Sequence, residues 1–412
     1  MTLTHTAPEL DAVVPRLRSA LATPRIVGWV AVPLLAVTLV WSWVRLGNYA
    51  LDLDIYRLGV QAWLTGQDMY GTLAPPLNGP VLPFIYPVFA AITMIPLAVV
   101  PYWVALMAVF GLSVAALAAV IFLTARVAWP AGGRPGAVSA TMLAVPAALL
   151  IEPVAQTLAF GQINLLLMVM VVVDCLAPRT RWPRGLMIGL AAAVKLTPAG
   201  FVLFLLLRRD YRAFGVAVAT GIVATGIGFA VAPAESAHYW FDGPAASVSG
   251  STFFSNEAIQ AILARQEVPE PLFTLLWLAG VAVILALAFP VIRRADRAIA
   301  LAATAAVVLM ASPTSWSHHW VFVVPALVAM GTHAVRLRSR GWALAAAVTA
   351  VVFYLAPFRW MPNVWGVQMH WNLFQQGLGA SYVIVATVLL ALGCRWYTRR
   401  PSRPMARTTG GT

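Results

Sequence analysis

Cysteine, lysine and acidic residues are all scarce in this chain. Two cysteines, one lysine and 14 acidic residues are spread over 412 positions. Cys175 and Cys394 fall in separate apolar stretches, so they imply neither a disulfide framework nor a metal site. There is no His-Glu-x-x-His, which excludes a zincin, and no Gly-x-x-x-x-Gly-Lys, which argues against an ATP-driven pump. The adjacent pair His318-His319 lacks the i, i+4 spacing of two ligands on one helix face. Neither a metal nor a cofactor is expected. The net charge is +13, but the arginines fall in short clusters between apolar segments. That pattern excludes the continuous basic stripe of a nucleic-acid binder.

What the chain has in abundance is hydrocarbon. Hydrophobic residues make up 61% of it and charged residues 10%, and the mean hydropathy is +0.83. This is the composition of a bundle of membrane helices, not of a soluble domain. Apolar stretches recur at 26–44, 84–101, 102–125, 137–151, 163–176, 185–207 and 214–232. They continue at 272–292, 298–310, 321–332, 342–356 and 378–394. The expected fold is therefore an all-α polytopic membrane protein of about 10–12 transmembrane helices in one domain, residues 26–394. A cytoplasmic tail at 1–25 and a basic cytoplasmic tail at 395–412 flank it. The first apolar stretch is too long for a signal peptide and has no small-residue cleavage motif, so it is taken as a retained anchor.

Charge then sets the topology. Short arginine clusters belong on the cytoplasmic side: Arg179/Arg181/Arg184, Arg208/Arg209/Arg212, Arg293/Arg294/Arg297 and Arg336/Arg338/Arg340. The stretch 185–207 lies between two of them and cannot cross once. A break at Lys195-Leu-Thr-Pro198 resolves this, because proline removes a helix donor and disfavours helix in the residue before it. We expect a re-entrant or two-part element there, with Lys195 near its turn. The stretch 84–101, interrupted by Pro87 and Pro96, needs the same treatment to keep Arg126 and Arg134 inside. Broken backbone at membrane depth is tolerated only when it is buried or lines a cavity, so both breaks point to an internal cavity.

The remaining loops, 45–86, 152–162, 233–271, 312–319 and 357–376, face the extracytoplasmic side. Between them they hold Asp52, Asp54, Glu152, His238, Asp242, His318, His319 and His370. Asp52 and Asp54 follow directly on the first membrane segment. Ionisable groups beside hydrocarbon are costly, and they mark functional sites by default. The expected reaction face is outside, in the plasma membrane.

Three motifs in the first outer loop carry a resemblance: Asp52-Leu-Asp54-Ile-Tyr56, Gly66-Gln-Asp68-Met-Tyr70 and Pro83-Phe84-Ile-Tyr86-Pro87. Phe160-Gly161-Gln162-Ile-Asn164, Lys195-Leu-Thr-Pro198 and Ser312-Pro313-Thr-Ser315-Trp316-Ser-His318-His319 extend it to about position 320. This set resembles the polyprenyl-phosphate-sugar-dependent GT-C enzymes of actinobacteria, glycosyltransferase family 87. That family includes α-(1→2)-mannosyltransferases of phosphatidylinositol mannoside and lipomannan synthesis. The resemblance implies a GT-C-like bundle with an extracytoplasmic active-site cavity, a polyprenyl-phosphomannose donor and a glycolipid acceptor. It carries the essential carboxylate onto Asp52. Asp54 stands at a variable position of the pattern, and Tyr86-Pro87-Val88 replaces the family's Tyr-Pro-Pro.

Glycosyl transfer with inversion needs a base for the acceptor hydroxyl and positive charge where the phosphate leaves. Asp52 is the first candidate for the base, with Asp54 as alternate or helper. Lys195, His318, His319 and Arg57 are candidates for the phosphate. Tyr56, Tyr86, Gln162, Asn164 and Trp316 are further substrate-binding candidates. Each also has a plainer reading: Lys195 snorkels to an interface, Gln162 and Asn164 bond helix to helix, and Trp240, Trp360, Trp365 and Trp371 form an interfacial belt with Trp316. Arabinose is the alternative sugar. A secondary transporter or lipid flippase is the alternative class, although no matching halves are visible in the sequence, and an inactive membrane scaffold is a third possibility.

Overall fold

The computed structural model describes residues 24–46, 50–243, 250–364 and 366–399. Most of both tails, Asn48 and Trp365 lie outside them. Among the described residues the architecture is all-α, with one isolated β-bridge between Asn256 and Trp316. The helices are α1 Pro24–Leu46, α2 Leu51–Leu64, α3 Val88–Val99, α4 Tyr102–Ala128, α5 Gly133–Leu149 and α6 Glu152–Phe160. Next come α7 Asn164–Leu176, α8 Leu186–Val194, α9 Val202–Leu207, α10 Tyr211–Val231, α11 Pro233–Phe241 and α12 Ile259–Arg265. The last are α13 Leu272–Arg294, α14 Arg297–Ala311, α15 Val323–Leu337, α16 Arg340–Leu355, α17 Leu373–Gly379 and α18 Ser381–Arg399.

Among the described residues, seven helical segments are long and apolar enough to cross a membrane, or eight if α5 and α6, bent by 71°, count as one span. The expectation of about 10–12 transmembrane helices, broken or re-entrant elements among them, counted shorter apolar stretches as well. α7, for example, has 13 residues and reaches only ~20 Å, against the ~30 Å of a hydrocarbon core. It survives at that length because it is packed inside the bundle: Leu165, Met168, Val171 and Val172 are fully buried.

The break in 185–207 is a hairpin. α8 starts beside Arg184, which donates to the carbonyls of Asp174 and Ala177, and ends at Lys195, whose backbone is extended. A 3-10 turn, Thr197–Phe201, leads into α9, which returns to Arg208. Arg208 donates to Ala295 O at 2.8 Å, and Arg184 lies 3.9 Å from Asp210. Both arginine clusters thus sit at one face and Lys195 at the other. The stretch 84–101 has no such break: α3 is one continuous helix of 12 residues that carries Pro96 inside it, with Tyr86 before it in the site and Tyr102 after it accepting from Ala50 N at 3.0 Å. The stretch 45–86, read as a loop, contains α2, and 152–162 contains α6.

α8 packs closely on α10 through small residues. A Cβ on Gly189 would stand 2.5 Å from Ala217 O, and one on Gly185 would stand 2.0 Å from Ala213 O. The repeats Gly185-x-x-x-Gly189 and Ala213-x-x-x-Ala217 bring the two backbones together, as small residues do where lipid supplies no hydrophobic drive.

Gly189→Leu should therefore destabilise the protein by about 2–3 kcal/mol through overpacking. Gly111→Leu, where a side chain meets nothing within 4 Å, should stay near wild type. Thermal unfolding of the purified variants in detergent reads the difference.

Candidate active site

The site gathers where α2, α7, the Lys195 break and the turn before α15 meet. Asn164 opens α7 and works in both directions. Its Nδ2 donates to His318 O at 2.9 Å, and its Oδ1 accepts from Lys195 Nζ at 3.0 Å. Lys195 Nζ also lies 3.1 Å from His319 Nε2 and 5.7 Å from the centre of the Tyr86 ring. An ammonium can only donate, so His319 Nε2 accepts and its proton resides on Nδ1. His319 Nδ1 and His318 Nε2 are buried with no hydrogen-bond partner among the described residues. A cation and two imidazoles with free nitrogens thus stand together.

The loop that carries these imidazoles is clamped from several sides. Thr157 Oγ1 joins Asn164 on the His318 carbonyl, at 3.0 Å. Ser317 donates to Glu152 Oε1 at 2.8 Å, and the same carboxylate accepts from Arg359 at 3.0 Å and from Tyr382 at 2.9 Å. Asn256 Oδ1 accepts from Ser315 N, and Ser255 O accepts from Ser317 N. His318 meets Phe160 edge-on at 5.4 Å, so its ring is held as well as its backbone.

Asp52 and Asp54 separate. Two residues apart on a helix they point roughly 200° from one another. Asp54 is buried and accepts from Leu77 N at 2.6 Å, closing the loop after α2. Asp52 turns the other way, onto the Gln162 side chain, within electrostatic reach of Lys195. Burial pushes its carboxyl up from 3.8 to about 6, against the lowering effects of the Gln162 hydrogen bond and the Lys195 charge. Tyr56 donates to Gln162 Oε1 at 2.6 Å, which leaves the amide N–H₂ of Gln162 to serve Asp52. Tyr86 OH lies 3.1 Å from Tyr56 OH.

Arg57 is not part of this group. Its guanidinium donates to the carbonyls of Leu97 and Val100 and stands over Tyr102, so it closes the end of α3 instead of facing the site. A residue five positions after Asp52 turns to a different helix face, and sequence proximity alone does not reveal that. His238 pairs with Asp242 at 3.0 Å on the surface. Trp240 and Trp360 are exposed, and Trp371 is buried, donating to Pro362 O.

A cavity of about 520 Å³ opens beside the cluster. Lys195, His319, Gln162, Tyr86, Tyr239 and Trp316 line its polar end. Leu203 of α9, Val281 and Leu285 of α13 and Val307 and Val308 of α14 line its other flank. The chamber is therefore cationic and aromatic at one end and purely apolar along one side. Sequence reading missed Tyr239, Thr157 and the role of Glu152. Tyr239 sat in a stretch read as loop, and Thr157 acts through a backbone carbonyl, which leaves no motif.

The family model for glycosyltransferase family 87 matches residues 84–313. A Mycobacterium tuberculosis H37Rv protein named polyprenol-phosphate-mannose-dependent alpha-(1-2)-phosphatidylinositol mannoside mannosyltransferase is 36% identical, over 89% of this chain and 90% of its own length. One from M. tuberculosis CDC 1551, named for a phosphatidylinositol pentamannoside acceptor, is 30% identical over 89% of this chain and 87% of its own. The crystal structure of ArnT from Cupriavidus metallidurans bound to undecaprenyl phosphate superposes with a TM-score of 0.43 at 16% identity, covering 90% of this chain and 78% of that one.

Asn164→Leu removes an acceptor from Lys195 and a donor from the His318 carbonyl at once, and should cost about 1–3 kcal/mol. Thr157→Val, which leaves that carbonyl bonded to Asn164, should cost less. Unfolding midpoints of the two variants in detergent give the order.

Proposed function

Because the chain belongs to glycosyltransferase family 87, we propose that it transfers mannose from a polyprenyl-phosphate carrier to a glycolipid acceptor of the phosphatidylinositol mannoside type. The observation that carries this reading is the two-natured cavity. A Lys195–His319 cluster stands at one end, and an apolar flank of α9, α13 and α14 side chains leads away from it. An isoprenoid phosphate has the same two natures. Both curated relatives described above are named for polyprenol-phosphate-mannose and for phosphatidylinositol mannoside acceptors.

In the reaction an acceptor hydroxyl attacks the anomeric carbon with inversion, as its proton passes to the Asp52 carboxylate. The bond from that carbon to the phosphate oxygen breaks, and the polyprenyl phosphate leaves as an anion beside Lys195, His319 and His318. Asp52 suits the base because a raised pKa makes it a better proton acceptor near neutrality. Lys195 suits the phosphate because an ammonium fixed before the reaction stabilises charge that forms only as the bond breaks. Asp54, held by Leu77, serves the fold. Tyr86, Trp316 and Tyr239 supply aromatic walls for the sugar.

The side of the membrane follows from charge. Arg336 donates to Ala128 O, Arg208 to Ala295 O and Arg294 to Tyr397 O, so the arginine clusters gather at the face opposite the site. Positive residues mark the cytoplasmic side, and this supports a reaction on the outer face of the plasma membrane.

The test is transfer by membranes supplied with polyprenyl-phosphomannose and a phosphatidylinositol mannoside. Asp52→Asn should lower turnover by about 10³-fold, the scale of losing a general base. Lys195→Gln should lower it by about 10²-fold. Asp54→Asn should reduce the amount of folded protein more than the turnover of what remains. Wild-type rates from Asp52→Asn, or no use of the polyprenyl donor by wild type, would sink the proposal.

The pH profile has a definite sign. The base form of Asp52 exists above about 6, so kcat/KM should fall about tenfold per pH unit below that value. Since the folded pKa exceeds the ordinary 3.8, ionising Asp52 costs stability as pH rises from 3.8 to about 6. Asp52→Asn should therefore unfold no earlier than wild type at pH 7, separating loss of activity from loss of fold.

A further inference from the structure

A second cavity, about 510 Å³, lies between α14, α15, α16 and α18. Its walls are aliphatic: Ala306, Leu309, Ala326, Ala345 and Leu389 among them. At the basic face its mouth is ringed by Arg395, Arg399, Trp342 and Trp396. At its inner end it reaches Trp320 and Phe353. The lining runs along α18 from Val385 to Arg399 and along α16 from Ser339 to Phe353, roughly 21 Å of helix in each case. One leaflet of hydrocarbon is roughly 15 Å deep, and a head-group layer lies beyond it. The cleft is thus as deep as one leaflet, apolar where the leaflet is apolar and cationic where head groups lie.

We propose that this cleft is a binding site for an anionic phospholipid from the leaflet at the basic face, with an acyl chain between α16 and α18 and its phosphate at Arg395 and Arg399. Both arginines are exposed at the end of an otherwise apolar helix, where a guanidinium meets lipid phosphates directly. Trp342 and Trp396 line the same mouth, and indole rings favour the membrane interface. The volume falls in the range of sites that enclose a small ligand. The site is separate from the Lys195 cavity, at the other end of the bundle, and holds whether or not the mannose reading does. Its inner end still touches the catalytic scaffold: Phe353 stacks on Tyr382 at 3.8 Å, and Tyr382 donates to the Glu152 that holds Ser317.

Native mass spectrometry of the delipidated full-length protein tests the proposal, with phosphatidylglycerol and phosphatidylcholine of identical acyl chains added in turn. Wild type should retain phosphatidylglycerol in preference to phosphatidylcholine, each arginine contributing roughly fivefold in apparent affinity. Arg395→Gln with Arg399→Gln should abolish the preference, whereas Arg181→Gln, at the same face but outside the cleft, should keep it. Ala306→Leu, which fills the cleft and leaves the arginines in place, should lower retention of both lipids and so tests the chain-binding part without touching the charge. Equal retention of the two lipids by wild type, or wild-type retention by the double arginine and Ala306→Leu variants, would overturn the proposal.

Discussion

The Lys195 ammonium sits at the break of a membrane hairpin, and the rest of the bundle is arranged to receive it. Hydrocarbon accommodates neither an unpaired charge nor the free backbone groups that a break exposes. Both must therefore be met from neighbouring elements. α7 supplies Asn164, the turn before α15 supplies His319, and the loop after α2 brings Tyr86 beneath the charge. Each partner comes from a different part of the chain. The break is thus both the costliest feature of the fold and the point on which it converges.

That convergence is held still by a surrounding layer. Glu152 ties Ser317, Arg359 and Tyr382 together, so α6, the histidine turn, the chain after α16 and α18 share one carboxylate. Thr157 and Asn164 fix the His318 carbonyl, while Asn256 holds the backbone of Ser315. A site that stabilises a leaving anion works best when its donors need no rearrangement as charge develops. These contacts hold the histidine turn in place from several sides.

The two faces of the bundle have opposite chemistry. One carries Asp52, Glu152 and the His318-His319 pair, and the other carries most of the arginines, with Asp210, Asp296 and His333 among them. Short inner helices such as α7 and α14 cannot match the long spans around them, so the site is sunk below the rim of the bundle. The apolar flank formed by α9, α13 and α14 suits the tail of the lipid-linked donor proposed above. The cleft at the basic face follows the same design with a different polar end, guanidinium in place of ammonium and imidazole.

Much of this was legible in the residues. The solitary lysine beside Pro198, set between two arginine clusters, required a reversal of the chain, and the hairpin is there. The adjacent histidines and the Asp52 region were visible as polar groups out of place in an apolar chain. Arg57 was misleading because nearness in sequence to Asp52 says nothing about which helix face it occupies. Tyr239 and Thr157 were invisible, one because α11 looked like loop and the other because it acts on a carbonyl.

Hydropathy and charge are properties of consecutive residues, so the sequence by itself determined a helical membrane protein, the gathering of its arginine clusters at one face and the position of the break at Lys195. Which of Asp52 and Asp54 turns toward Lys195, which imidazole meets the ammonium and where the cavity opens were decided only by tertiary structure. Those outcomes depend on helix phase and on contacts between segments more than a hundred residues apart, such as Lys195 with His319 and Glu152 with Ser317.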